Sequence, residues 1–280
     1  MQDTLWIKGK ICLVTGASSG IGLATAWQLA KQGATVVMVA RDDDRGRAAK
    51  AKVIDKSGNP NVHLFLADFA SLNQVRSLAH KFLAQFPALH VLINNAAIVP
   101  LKREISEDGY ELQFAVNHLA PFLLTNLLLP LMKTSRSARI INVTSMVHSW
   151  ASIDFDDLQS ERGYDPSDVY SMTKLANILF TVHLDKELQG SGVTVNSLHP
   201  GIINTKLYKN FMGSGGPSSA EDSELEHGAA SSVYLATSPE LVDISGKYFA
   251  NQKERQPSTS SQNKETARQL WKVSAELAGL

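Results

Sequence analysis

The feature that most constrains this chain is a rhythm: short β-branched runs alternate with longer stretches whose apolar residues recur at helical spacing. Strand candidates are Ile11–Thr15, Thr35–Ala40, Val62–Ala67, Val91–Asn94, Arg139–Val143 and Val193–Leu198, with a seventh at Lys247–Phe249. Helical patterns lie between them at Ile21–Gln32, Leu72–Phe86, Tyr110–Lys133 and Val169–Gln189. Such alternation builds right-handed βαβ units and a mostly parallel sheet. Runs like TVVMVA, apolar along nearly their whole length, suit strands buried on both faces. The expected architecture is α/β: one domain over residues 1–280, with a doubly wound, mostly parallel seven-stranded sheet and helices on both faces.

Two segments break the rhythm. Residues 209–227, KNFMGSGGPSSAEDSELEH, are rich in Gly and Ser and read as a mobile loop, either a lid or a disordered surface loop. Residues 251–265 are polar and precede a last helical pattern, TARQLWKVSAEL. The apolar run Leu119–Met132 is shorter than a membrane span and contains Pro121, Asn126 and Pro130, so it reads as a buried helix. Basic and acidic residues balance at 27 each, which leaves no electrostatic footprint for nucleic acid or an anionic membrane. The lone Cys12 provides no disulfide framework, and MQDTLWIKGK lacks the apolar core of a signal peptide. A soluble, cytoplasmic protein with no nucleic-acid partner and no membrane span is expected.

The turn after the first strand candidate, TGASSGIG, fits two chemistries. Gly16-Ala17-Ser18-Ser19-Gly20 matches the nucleophile-elbow pattern, which would make Ser18 the attacking group of a hydrolase. Gly16, Gly20 and Gly22 also form a glycine-rich turn of the kind that receives a dinucleotide pyrophosphate. Position favours the second reading. An elbow normally follows several strands, whereas Ser18 follows the first, and Gly22 is superfluous to an elbow. A P-loop is excluded, because no Gly-Lys-Ser/Thr follows Gly16 at the required spacing.

Taken with six further motifs in the same order, the turn resembles the short-chain dehydrogenases/reductases, and the resemblance covers nearly the whole chain. The motifs are LAD ending at Asp68, NNAA from Asn94 to Ala97, the NH pair at Asn117, NVTS ending at Ser145, and YSMTK followed by HPGIINT. Ala97 departs from the glycine usual at the end of its motif. The resemblance implies a single-domain Rossmann fold, with a cofactor half over about 1–145 and a catalytic half over about 146–280. It implies cofactor contacts from Gly16, Ser18, Ser19, Gly20, Ile21 and Gly22 at the turn, and from Arg41, Asp68 and Phe69 towards the adenosine. Asn95, Ala96, Pro200, Gly201, Ile203 and Thr205 would complete the cradle, with Tyr170 and Lys174 at the nicotinamide ribose.

The reacting groups follow from the same resemblance. Tyr170 and Lys174 lie four residues apart, hence on one helix face. A phenol titrates near pH 10, and the Lys174 ammonium together with a nicotinamide carrying positive charge in its oxidised form is expected to lower that value. Tyr170 would exchange the proton, Ser145 would hydrogen-bond the reacting oxygen, and Asn117 would hold a water for proton relay. Ser145 as a strand-end cap and Asn117 as the polar residue of a bent helix are the structural alternatives. The eight histidines show no metal-ligand spacing, and His148 and His199 read as structural.

The second strand candidate ends at Ala40-Arg41, without the acid that binds an NAD ribose, which favours NADP(H) over NAD(H). Asp42, Asp43 and Asp44 oppose this unless they start the next helix. Within the family, stretches such as YSMTKLANILF and SGKYFANQ resemble the retinol dehydrogenase and protochlorophyllide reductase branch. That likeness implies a bulky apolar carbonyl or alcohol substrate, with Val147, Trp150, Leu207 and Phe211 lining its pocket and a substrate loop over about 202–227. Ile98, Val99 and Met212 are further candidates. The 24 residues between Ser145 and Tyr170 exceed the family's usual spacing and would frame the substrate mouth or block a common tetramer, leaving a homodimer or a monomer. A redox-inert NADP-binding regulator is the alternative to an NADPH-dependent reductase.

Overall fold

Alternate residues of the central strands face two separate cores. Cys12, Val14, Val36, Met38, Val91 and Ile93 pack into one; Leu13, Val37, Val39 and Leu92 pack into the other. A strand with buried neighbours on both sides has no solvated face, which is why these segments read as continuous apolar runs. A computed structural model describes residues 6–135 and 137–280.

Eight strands form one sheet in the order β3-β2-β1-β4-β5-β6-β7-β8. They are β1 (Ile11–Thr15), β2 (Thr35–Ala40), β3 (Val62–Leu66), β4 (Val91–Asn94), β5 (Ala138–Val143), β6 (Val193–His199), β7 (Tyr248–Ala250) and β8 (Lys253–Arg255). The first seven pair in parallel, and β8 runs antiparallel to β7. The eighth strand corrects the expected seven. Asn251 and Gln252, at φ +52° and +60°, make the two-residue hairpin turn, and the Lys-Glu-Arg strand beyond it is fully exposed. With no buried face, β8 carries no alternation to read.

One core holds α1 (Gly20–Lys31), α2 (Asp43–Ser57) and later α8 (Asp222–Thr237). The other holds α3 (Leu72–Gln85), α4 (Leu112–Phe114), α5 (Ala120–Thr134) and α6 (Pro166–Glu187). Helix α7 (Lys206–Phe211) lies in the expected substrate loop, and α9 (Lys264–Ala278) packs across α5 and α6. The stretch 209–227 is thus not one loop: α7 enters it and α8 begins inside it.

The expected single helix Tyr110–Lys133 is interrupted. A π-turn, Ala115–Leu119, separates α4 from α5, and the Ala120 N–H reaches back five residues to the Ala115 carbonyl. Pro121 follows and has no N–H to give the carbonyl four residues before it, that of Asn117. Leu112–Thr134 as a whole is long and apolar enough to cross a membrane, yet 72% of its most apolar window is buried in the fold. Glu111, fully buried, starts it by accepting the Gln113 and Phe114 amides at 2.9 and 2.7 Å.

Candidate active site

The chain winds outward from β1 to β3, then returns to β4 beside β1, so a crevice opens at the carboxyl ends of β1 and β4. The glycine turn sits there. Asn95 and Ala96 donate their amides to Thr15 Oγ1, both at 3.0 Å, and Asn95 Nδ2 donates to the Thr15 carbonyl at 2.8 Å. These bonds clamp the two loops together. A Cβ on Gly22 would lie 2.4 Å from Asn95 Nδ2 and 2.5 Å from the Gly16 carbonyl oxygen, so the clamp leaves no room for a side chain.

Gly16 and Gly20 have φ of +66° and +58°, and a Cβ on Gly16 would press the Ala96 backbone at 2.9 Å. Ser19 precedes α1 without a side-chain cap, so the helix's first amides carry no capping oxygen. Glycine-shaped backbone and uncapped amides at a twelve-residue helix fit a pyrophosphate. Ser18 is partly buried and Ser19 exposed at the same turn. Ile203 is 3% exposed and, with Ile21, faces Gly228 of α8, where a Cβ would meet Ile203 at 2.8 Å. Thr205 lies against Gly20 and caps α7 by accepting the Tyr208 amide at 3.3 Å. Pro200 and Gly201 form the turn leading there, with Gly201 at φ +97°.

Just beyond the carboxyl end of β2, Arg41 is exposed and stands 3.9 Å from Asp68. A pair this open is worth under about 1 kcal/mol, so the guanidinium is free to turn to a stronger anion. Asp42 caps α2 by accepting the Arg45 amide, and Asp43 pairs with Arg47 at 2.8 Å. Asp42 and Asp43 are thus engaged at the helix start. The Phe69 side chain belongs to the core, which leaves only its main chain for a cofactor.

The four proposed catalytic residues meet beyond the carboxyl ends of β4 and β5. Lys174 is 2% exposed, and its Nζ donates to the Val143 carbonyl at 3.1 Å, two residues before Ser145. The same Nζ stands 5.2 Å from the centre of the Tyr170 ring. Ser145 Oγ receives the Val147 amide at 3.5 Å, a long bond that leaves its hydroxyl proton free to donate. The Asn117 side chain is engaged: Oδ1 accepts the Ile98 amide at 2.8 Å, and Nδ2 donates to the Ile98 carbonyl and to Thr173 Oγ1 at 3.0 and 3.2 Å.

Burial sets the electrostatics. Desolvation pulls the Lys174 ammonium down to about 7 and pushes the Tyr170 phenol up. In the chain by itself, without the charge of an oxidised nicotinamide, burial alone sets the direction for the phenol. Between about 7 and the usual 10.5, folded Lys174 binds fewer protons than unfolded Lys174. Its contribution to stability is lowest below about 7 and rises with pH through that window. Urea unfolding of wild type and Lys174→Met should show a gap that narrows by about 2 kcal/mol between pH 7 and 9. A gap independent of pH would contradict this placement.

Around the phenol lies an apolar cluster of Val99, Val147 and Tyr170, with Ala97, Leu207 and Phe211 packed against it. The Phe211 ring meets the Tyr170 ring at 5.4 Å. Asn210 Nδ2 donates to the Val99 carbonyl, and Ser167 Oγ to the Phe211 carbonyl, both at 3.0 Å, so α7 is fastened over the site. Val147, Leu207 and Phe211 come together as expected. Trp150 does not: it ends the short turn Met146–Trp150 at the solvent, 71% exposed, because that turn buries Val147 and His148 instead. Met212, 59% exposed, also lies outside the cluster, and Ile98 packs against the larger core.

Residues 10–213 match the family model described as short chain dehydrogenase. The chain belongs to the short-chain dehydrogenase family. Among curated relatives, retinol dehydrogenase 13 of Homo sapiens is 42% identical over 98% of this chain and 86% of its own. Retinol dehydrogenase 14 of Homo sapiens is 41% identical over 97% and 87%. A solved structure of an uncharacterized protein from Mycobacterium Paratuberculosis is 30% identical, with a TM-score of 0.82 over 99% of this chain and 96% of that one.

In this short-chain dehydrogenase, two contacts escaped the sequence reading. His148 donates from Nδ1 to the Ser145 carbonyl at 2.7 Å, and its Nε2 accepts the Ser258 amide at 3.1 Å. The ring thereby ties Ser145 to the C-terminal segment. The insertion after Ser145 is anchored too, since Tyr164 donates to the Pro100 carbonyl at 2.9 Å and Gln159 Oε1 accepts the Glu111 amide at 2.7 Å. It frames the loop after β4. Among the described residues no group of His, Cys, Asp and Glu could hold a metal.

Proposed function

We propose that this short-chain dehydrogenase reduces the carbonyl of an apolar aldehyde or ketone with NADPH, or oxidises the matching alcohol. The observation that carries the proposal is the buried Tyr170 phenol, enclosed by Val99, Val147, Leu207 and Phe211 and followed one turn later by Lys174. An apolar enclosure with one proton-exchanging group suits a substrate whose only polar atom is the reacting oxygen. The kinship with proteins named retinol dehydrogenase supports the same substrate class.

The nicotinamide, when bound, supplies the hydride. The chain does the rest. Tyr170, kept neutral by burial, gives its hydroxyl proton to the carbonyl oxygen as charge builds there. Ser145 donates a hydrogen bond to the same oxygen and keeps its proton, and the His148 bond to its carbonyl holds it in place. Lys174, whose Nζ donates to the Val143 carbonyl, would bind the ribose hydroxyls beside Tyr170. Gly16, Gly20 and Gly22 keep side chains away from the pyrophosphate, and Arg41 receives the 2′-phosphate that distinguishes NADP from NAD. The buried Cys12, its thiol pushed up by burial, is compatible with a cytoplasmic placement, and a homodimer is the assembly we propose.

NADPH consumption against a panel of apolar aldehydes and ketones, retinal and quinones included, tests the function. Turnover with apolar members supports it; tight NADPH binding with no turnover would favour a redox-inert regulator. Arg41→Ala should weaken NADPH binding about tenfold while leaving NADH within about twofold, measured by fluorescence titration. Equal losses for both cofactors would remove Arg41 from the selectivity.

A further inference from the structure

The Asn117 carbonyl has an unusual position in its helix. Its ordinary helical partner would be the N–H of residue 121, but that residue is Pro121. A buried carbonyl left unpaired costs about 1–3 kcal/mol, so another donor is needed. Asn177, three residues beyond Lys174 on α6, provides it: Nδ2 donates to the Asn117 carbonyl at 2.8 Å. This orientation leaves Asn177 Oδ1 as an acceptor, and the facing His118 Nδ1, 3.1 Å away, must carry the proton. His118 Nε2 is then bare and accepts the Ser274 hydroxyl of α9 at 2.8 Å. All four residues are buried.

We infer that Asn177 is a positioning residue for catalysis, held in one orientation by His118 and Ser274, and that it aims the Asn117 main-chain carbonyl. A carbonyl oxygen accepts two hydrogen bonds, so fixing one of them fixes the direction of the second. With the Asn117 side chain engaged by Ile98 and Thr173, this second lone pair is what Asn117 can offer a proton relay reaching Lys174. The chain of bonds also explains why a π-turn persists here: Asn177 satisfies the carbonyl that Pro121 orphans. The catalytic half of the inference rests on the reductase reading; the hydrogen-bond chain does not.

Asn177→Asp tests it, because a carboxylate keeps the shape and the acceptor for His118 but cannot donate to Asn117. We expect kcat to fall about tenfold, with KM and NADPH affinity within about twofold, since a small misorientation suffices for such a loss. Amide hydrogen exchange across Ala115–Ala120, read without substrate, should quicken about tenfold as the π-turn loses a hydrogen bond. Unchanged exchange overturns the structural link. Quickened exchange with kcat unchanged, or with KM rising instead, overturns the positioning role. Should Asn177→Asp fail to fold, Ser274→Ala removes only the far hydroxyl and should shift the His118 imidazole nitrogen resonances and lower kcat severalfold; the absence of both changes overturns the inference. Wild type inactive on every carbonyl would sink the reductase reading and the positioning role with it, while exchange would still decide whether Asn177 holds the turn.

Discussion

Tyr170→Phe is expected to lower turnover by about a thousandfold, within the range of a lost general acid–base, while NADPH binding and folding are retained. The ring remains, so its packing against Phe211, Val99 and Val147 is kept; only the hydroxyl is lost. The size of the effect follows from enclosure. The Lys174 Nζ, 5.2 Å from the ring centre, is fastened to the Val143 carbonyl, and the Ser145 Oγ is engaged by the Val147 amide. Steady-state kinetics on the best substrate, with fluorescence titration of NADPH, checks both halves. Turnover within about tenfold of wild type would show that another group carries the proton.

The second large effect is at Gly22. Alanine there places a methyl 2.4 Å from Asn95 Nδ2 and 2.5 Å from the Gly16 carbonyl oxygen, and the second contact is backbone that cannot swing away. The β1 and β4 loops must part, and with them the amides of Asn95 and Ala96 leave Thr15 Oγ1. Gly22→Ala is expected to weaken NADPH binding by at least about a hundredfold, the scale of two or more lost phosphate-facing hydrogen bonds. Gly163→Ala is the control, because a Cβ there meets nothing within 4 Å. Titration with NADPH reads the result; binding within about threefold of wild type would show that this turn does not set the pyrophosphate site.

Most of the sheet was legible because its strands are buried on both sides and therefore uniformly apolar: β1, β2 and β4 lie where expected. The glycine turn was legible for a related reason, since close backbone approach excludes every other residue. What escaped is governed by neighbours distant in sequence. The π-turn depends on Asn177, sixty residues from the carbonyl it satisfies. Proline at 121 was the visible signal, and it points to an orphaned carbonyl without naming the donor. Helix α7 has no buried residue and gave no apolar stripe, so its Gly- and Ser-rich surroundings dominated the reading. Strand β8 exists because β7 offers an edge, not because Lys-Glu-Arg favours strand. Trp150 illustrates the opposite error: a large apolar residue near a site invites a pocket role, yet the turn's buried face was already filled by Val147 and His148.

The same distance argument applies to the electrostatics. The Tyr170–Lys174 spacing correctly places both groups on one helix face, but spacing says nothing of depth. Only the packed structure shows that desolvation dominates both, drawing Lys174 to about 7 and raising Tyr170. A neutral, buried phenol is better suited to giving a proton than to taking one, which fits the reductive direction proposed here.

The most direct measurement follows the hydride itself. Wild-type protein is supplied with NADPH deuterated at the transferable position and with the apolar aldehyde or ketone that it consumes fastest, and the alcohol is analysed by mass spectrometry. The proposed function predicts one deuterium at the carbinol carbon, absent when Tyr170→Phe protein is used over the same time. Alcohol without deuterium, or NADPH bound with no alcohol formed from any carbonyl compound, would contradict it.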